Sequence, residues 1–325
     1  MKKIGKTLSM GIIFFFFLVI AVHGQDYPSR PIESVVGYPP GGVSDSTFRV
    51  LCKAAEKHLS QPLVVINKPG VSGALSMDYL ASQKPDGYTL SYSTAGMLIF
   101  VPFFEKVTYK LDDFSYIMGF GYQLHALSVR AEAPWETFRE FLDYAKKNPG
   151  RVRYGSYSPV STTSIVMDMI AKEEGIDWIH IPYKGDSPGI TALLGGHVDA
   201  LASASGQIPY VRSGKLKFLA IFNTYRSKNF PNVPTLKSLG YKFPMLSDVT
   251  SSSGVIAPKG IRVEMLKKLE DAFIKAAKDP SFIQLMESID CPIVYRNGDE
   301  YKAELSNSYQ ICEKLIPPIA AKLKK

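Results

Sequence analysis

The residues best placed to do chemistry in this sequence are small ones. Gly, Ser and Thr gather in loops that follow short apolar runs and precede helical ones. These loops are Tyr38-Pro39-Pro40-Gly41-Gly42-Val43-Ser44-Asp45, Lys68-Pro69-Gly70-Val71-Ser72-Gly73, Ser93-Thr94-Ala95-Gly96, the polar stretch over 156–161, and Ser203-Ala204-Ser205-Gly206. A loop of that composition at a helix start turns unpaired backbone N–H groups and hydroxyls toward one point, and the helix dipole adds partial positive charge. The chemistry is recognition of an anion without Lys or Arg. Each helix start contributes about 0.3–1 kcal/mol, up to ~2 when partly buried. One such loop taken alone reads more simply as helix capping. Several in one chain shift the reading toward a shared cleft that holds a carboxylate.

Catalytic patterns are missing from these loops. Gly37 and Gly42 have the spacing of a phosphate loop, but Val43 stands where its lysine belongs. Gly70-Val71-Ser72-Gly73 has the wrong spacing for a nucleophile elbow. Neither His-Glu-x-x-His nor Cys-x-x-Cys occurs, and His58, His125, His180 and His197 each lack a second His or a Cys at metal-ligand spacing. His180 reads as a strand residue, His197 as a turn residue and Asp45 as a helix cap. A Ser/His/Asp triad assembled in space would have no local signature here, so a secreted hydrolase using a loop serine is the alternative, not the expectation.

The elements that must position the loops alternate. Strands are expected over 31–37, 62–66 and 88–92, with helices over 46–59 and to about 82 between them. The second half repeats the rhythm, with strands over 152–155, 178–181, 198–202 and 216–222 and helices over 162–174 and 188–194. Amphipathic helices follow over 263–277 and 301–315, and Pro317-Pro318 is expected to stop the second. Strand, polar loop, helix, repeated, is the pattern of parallel sheets with covering helices, in which ligands sit beyond the carboxyl ends of the strands. Two such halves without a linker suggest two lobes joined by crossing strands, near 124–129 and 253–257.

The bulk properties agree with a globular, exported chain. Of 325 residues, 46% are hydrophobic and 21% charged, which excludes a disordered chain. Residues 1–24 have the layout of a secretory signal peptide: Lys2, Lys3 and Lys6, then an apolar run over 10–22, then Val22-His23-Gly24. The run is shorter than the roughly 18 residues a span needs. Cleavage there places the protein in the periplasm with Gln25 first, and the mature chain is not expected to span a membrane. The formal charge is +8, and the three leader lysines account for all but +5. Basic residues interleave with acids, with no stripe suited to nucleic acid. Cys52, Cys291 and Cys312 leave two readings open: one disulfide, with Cys291 and Cys312 the pair closest in sequence, or three buried thiols.

Taken in order, the loops resemble those of the Bug family, the TctC-like extracytoplasmic solute receptors of tripartite tricarboxylate transporters. The opening Ile32-Glu33-Ser34-Val35-Val36-Gly37-Tyr38-Pro39-Pro40-Gly41-Gly42 is similar to the family's first strand and loop, and Asn67-Lys68-Pro69-Gly70-Val71-Ser72-Gly73 to its second. Pro85-Asp86-Gly87-Tyr88, Pro182-Tyr183-Lys184-Gly185, Leu194-Gly195-Gly196-His197-Val198-Asp199, Asn232-Val233-Pro234-Thr235 and Ala257-Pro258-Lys259-Gly260 extend the likeness over most of 27–323. The resemblance implies an α/β, type II-like periplasmic binding fold, a two-domain clamshell closing on a small organic acid (a di- or tricarboxylate or an aromatic acid). Its partner would be the membrane permease subunits, with no cofactor, no metal and no nucleic acid, and the receptor a monomer. A sensory receptor presenting the acid to a membrane kinase is the other alternative. Carried onto matching positions, the ligand contacts are Tyr38, Gly42, Ser72, Ser93, Thr94, Ser158, Ser161 and Thr162, with Ser205 added from a loop that departs from the family. The expected domains are 25–125 plus 253–325, and 126–252.

Three departures bear on the ligand. Gly37-Tyr38 replaces the usual Pro-Phe. Ala202-Ser203-Ala204-Ser205-Gly206 lacks the family's Asp-Asn pair, and Thr250-Ser251-Ser252-Ser253-Gly254 lacks an aromatic pair. A cleft richer in hydroxyls and less bulky is the expectation.

Overall fold

The computed structural model describes residues 27–243 and 245–323, so the expected leader lies outside the described residues. Its strands are β1 (Ile32–Val36), β2 (Leu63–Asn67), β3 (Thr89–Thr94), β4 (Phe114–Tyr122), β5 (Ala126–Arg130), β6 (Arg153–Ser156), β7 (Ile179–Pro182), β8 (Ala200–Ser203), β9 (Leu216–Ile221), β10 (Ser252–Pro258) and β11 (Ile293–Asn297). Its helices are α1 (Val43–Leu59), α2 (Ala74–Ala81), α3 (Phe138–Lys147), α4 (Thr162–Glu174), α5 (Asp186–Leu194), α6 (Ile208–Arg212), α7 (Met245–Thr250), α8 (Val263–Ala276), α9 (Pro280–Ser288) and α10 (Gly298–Leu323). The strands form two mixed sheets, one ordered β11-β4-β10-β3-β1-β2 and the other β7-β6-β8-β5-β9. Each sheet with its helices makes one lobe of a clamshell.

Local sequence explains the elements nearest the cleft. β1 pairs in parallel with β2 and β3, and its Ile32, Val35 and Val36 are fully buried, as a strand covered on both faces requires. α1 buries Phe48, Leu51, Cys52, Ala55 and Leu59, a helical stripe that packs against the sheet and α8. It begins at Val43, three residues before the expected start, because extended Gly42 already serves as its N-cap. In the second lobe, Thr137 caps α3 in a reciprocal box with Glu140, and Ser161 caps α4.

The chain leaves the first lobe through residues 123–125 and returns through 222–251. The two passages are stitched together: the Gln123 N–H donates to the Ser251 carbonyl at 3.0 Å, the Phe222 N–H to the His125 carbonyl at 2.8 Å, and the His125 N–H to Asn223 Oδ1 at 2.7 Å. The expected crossing strands are thereby relocated. β5 and β10 each lie within one sheet, and the crossings are the segments beside them.

One further reading changes, and one of the two readings left open for the cysteines is met. α10 runs through Pro317 and Pro318, where a stop was expected. Each proline removes one intrahelical bond, but buried Ile316 and the partly buried Ile319 hold that turn against the core, so packing overrides propensity. Cys52, Cys291 and Cys312 are three separate buried thiols. Among the described residues no helix is long and apolar enough to cross a membrane.

Candidate functional site

The loops at the carboxyl ends of β1, β2 and β3 face those after β6, β7 and β8 across one cavity. About 670 Å³ of empty space lies between them, the mouth included. Three helices start on it: α1 with Gly42 and Val43, α4 with Ser161 and Thr162, and α5 with Gly185 and Asp186 all contribute lining. The caps of α1 and α5 are glycines without a side-chain capping bond, which leaves first-turn amides free for another acceptor. Among the described residues no Lys or Arg lines the cavity, Asp186 is its one acidic residue and His125 its one imidazole.

The first loop is held from behind. Asp45 accepts from the Gly41 N–H at 2.9 Å, Arg49 Nε at 2.9 Å and Asn67 Nδ2 at 2.7 Å, and Asn67 Nδ2 also donates to the Tyr38 carbonyl at 2.9 Å. Burial alone would raise the Asp45 carboxyl, but hydrogen bonds from Arg49, Gly41 and Asn67 outweigh it and hold the group below its ordinary value. Asp45 thus shapes the loop and does not line the cavity. The second loop passes through Val71 (φ 47°) and Ser72 (φ 56°), left-handed geometry that is strained for a β-branched residue. The result aims Ser72 at the other lobe. Its hydroxyl donates to the Val160 carbonyl at 2.8 Å and meets the Ser158 hydroxyl.

A chain of hydroxyls joins α4 to α7, and two further contacts cross the cleft. Thr162 Oγ1 donates to Thr250 Oγ1 at 2.8 Å, and Thr250 Oγ1 in turn donates to the Leu246 carbonyl at 2.8 Å. Tyr38 and Tyr157 meet edge to face with ring centroids 6.5 Å apart. Gly185 sits against Pro39 so closely that a Cβ there would lie 3.1 Å from its ring. The lobes are therefore in the closed arrangement.

Of the sequence-derived positions, Tyr38, Gly42, Ser72, Thr94, Ser161 and Thr162 line the cavity. Ser158 forms its lip with Ser72. Ser93 and Ser205 point elsewhere. The Ser93 hydroxyl lies 3.2 Å from the Tyr301 hydroxyl on α10, because neighbouring residues of a strand face opposite sides and Thr94 takes the cleft side. Ser205 Oγ accepts from the Leu124 N–H at 2.9 Å and from the Cys291 thiol at 3.2 Å. The hydroxyls of residues 251–253 also turn away, Ser253 to Tyr92 and Ser252 to Arg296, so only Thr250 of that run lines the cavity.

Gln123, His125, Tyr157 and Asp186 also line the cavity and were not singled out from sequence. Asp186 directly follows Pro182-Tyr183-Lys184-Gly185 at the start of a helix, so a signal was available. Gln123 and His125 sit in a crossing segment with no motif. Burial pushes the His125 imidazole down to about 4, which leaves it neutral at neutral pH. Among the described residues Ser156 Oγ lies 2.7 Å from His180 Nε2, but Ser156 is fully buried and neither residue lines the cavity.

Ser161 has a local duty besides lining: its Oγ accepts from the Ser164 N–H at 3.1 Å and caps α4. Ser161→Ala is expected to fold and to lose about 1 kcal/mol of stability, read by urea denaturation.

Comparison with known proteins bears on this geometry. The family model described as "Tripartite tricarboxylate transporter family receptor" matches residues 47–319. A Cupriavidus necator protein named "UPF0065 protein in gbd 5'region" is 40% identical over 276 residues, 85% of this chain and 83% of that protein. A solved structure described as a periplasmic transporter is 30% identical, covers 89% of this chain and 97% of its own, and superposes with a TM-score of 0.82. MatC from Rhodopseudomonas palustris with bound malate shares the fold, at 23% identity and a TM-score of 0.80 over 89% of this chain and 99% of that one. With this match over most of its length, the chain belongs to the tripartite tricarboxylate transporter receptor family, whose members are periplasmic solute-binding proteins.

Proposed function

We infer that this protein captures a small carboxylate-bearing molecule in the interlobe cavity and delivers it to the permease subunits of a tripartite transporter. The observation that carries the reading is the convergence of the α1, α4 and α5 starts on one cavity without a basic side chain. Partial charges and hydroxyls there are fixed before the ligand arrives, so little ordering is lost on binding. Ligand contact is assigned to Tyr38, Gly42, Ser72, Thr94, Ser161 and Thr162, with Ser158 acting at the lip. The moving bodies are residues 25–125 with 253–325, and 126–252. Binding favours the closed arrangement because only that arrangement brings both sets of loops to the ligand. Export by the leader, a periplasmic location and a monomeric state complete the reading. The malate held by MatC supports a carboxylate as the ligand class.

A thermal-shift screen of organic acids against the mature protein tests it. An acid present at a hundred times its Kd stabilises by about 2.7 kcal/mol, a rise in Tm of about 5 °C. A screen of mono-, di- and tricarboxylates and aromatic acids that moves Tm nowhere overturns the reading.

A further inference from the structure

The cavity carries an imbalance of charge that its own residues do not correct. Asp186 lines it from the first turn of α5, partly buried and in none of the ion pairs among the described residues. Its carboxylate is turned toward the end of β8, where the Ser203 hydroxyl donates to Oδ1 and the Ala204 N–H donates as well. These two hydrogen bonds and a place at a helix start favour the ionised carboxylate. Burial opposes that, raising the Asp186 carboxyl against the two hydrogen bonds. A partly desolvated carboxylate with two donors still lacks a counter-charge.

No lining residue supplies one. Among the described residues His125 is the only basic side chain on the cavity wall, and its burial keeps it neutral. His125 is itself incomplete: it is 3% exposed, and its Nδ1 has no hydrogen-bond partner. The cavity therefore holds two unmet polar demands, a carboxylate without a cation and a buried imidazole nitrogen without a partner. A dianionic ligand would add a second negative charge beside Asp186 and worsen the first of them.

We propose that Asp186 is the specificity-determining residue of the cleft and selects a zwitterion, a carboxylate that also bears a cationic nitrogen, seated with its ammonium at Asp186. This rests on the carboxylate reading above and narrows it to the amino-acid class. The helix starts take the ligand's carboxylate, Asp186 takes its cation, and the pair enters the cleft with no net charge to desolvate.

Isothermal titration with acids matched in carbon skeleton tests it: succinate against L-aspartate, propanoate against β-alanine, butanoate against 4-aminobutanoate. In the wild-type protein the aminated member of at least one pair is expected to bind about 30-fold more tightly, the lower range for a buried charge pair. In Asp186→Asn, which keeps an acceptor for Ser203, that preference is expected to vanish or invert. A wild-type preference for the unaminated member, or a preference for the aminated one that survives in Asp186→Asn, overturns the assignment of Asp186 while leaving carboxylate capture intact. The wild-type comparison decides the ligand class even if the variant does not fold, which its Tm without ligand reports. Absence of binding by every acid, aminated or not, sinks the carboxylate reading as well.

Discussion

Thr162→Trp is expected to fold and to lose ligand-induced stabilisation altogether. Thr162 is 2% exposed at the first position of α4, with its hydroxyl 2.8 Å from Thr250 across the cavity wall. Thr162 lines the cavity from the second lobe, across from Tyr38, Ser72 and Thr94 of the first. An indole there would fill the space that the ligand and the facing loops share when the lobes meet. The Kd for any acid found in the screen is expected to rise more than about 100-fold, equivalent to about 2.7 kcal/mol. Titration calorimetry reads the loss, circular dichroism shows the retained fold, and small-angle scattering should report a larger radius of gyration. Affinity within a few-fold of wild type would mean that closure over Thr162 is not required for capture.

A double variant, Ser72→Cys with Ser158→Cys, is expected to lock the cleft. The two hydroxyls already touch across the lip, from loops 86 residues apart in sequence. Oxidation would close a loop of that length, worth about 4–5 kcal/mol in the chain-entropy account. The native thiols should not compete. Burial raises Cys291 and Cys312 to about 12 and Cys52 higher still, which keeps all three out of thiolate exchange at neutral pH. The oxidised protein is expected to exchange ligand at least about 100-fold more slowly than the reduced one and to unfold at a higher temperature, with dithiothreitol restoring both. Equal exchange rates in the two redox states would show that solute passes without the lip opening.

Legibility from sequence divided along a physical line. The loops were readable because turn and cap chemistry is local. Pro39-Pro40-Gly41-Gly42, Gly70 to Gly73 and Ser161-Thr162 announce a strand ending and a helix beginning within a few residues, and each did so. What lay across from each loop was not readable. Ser93 and Thr94 are equivalent as letters, but strand alternation gives Thr94 to the cleft and Ser93 to Tyr301. Ser205 has the composition of a ligand contact and instead satisfies the Leu124 amide where the chain crosses between lobes. β4 escaped notice because its two glycines weaken the strand pattern. They are needed where Arg296, Tyr301, Met286 and Pro292 pack so tightly that a Cβ at Gly119 or Gly121 would collide with them.

The sequence by itself determined the alternation of strands and helices, the small-residue loops that end them, the absence of a basic or catalytic motif, and through these the family. Tertiary structure alone decided which loops meet, that Gln123 and His125 enter the cleft from a crossing segment, that Asp186 faces it without a cation, and that α10 continues through two prolines. The reason is range. A cap or a turn is settled by neighbours within one helical turn, whereas the facing of a side chain and the charge balance of a cavity depend on residues tens to hundreds of positions away.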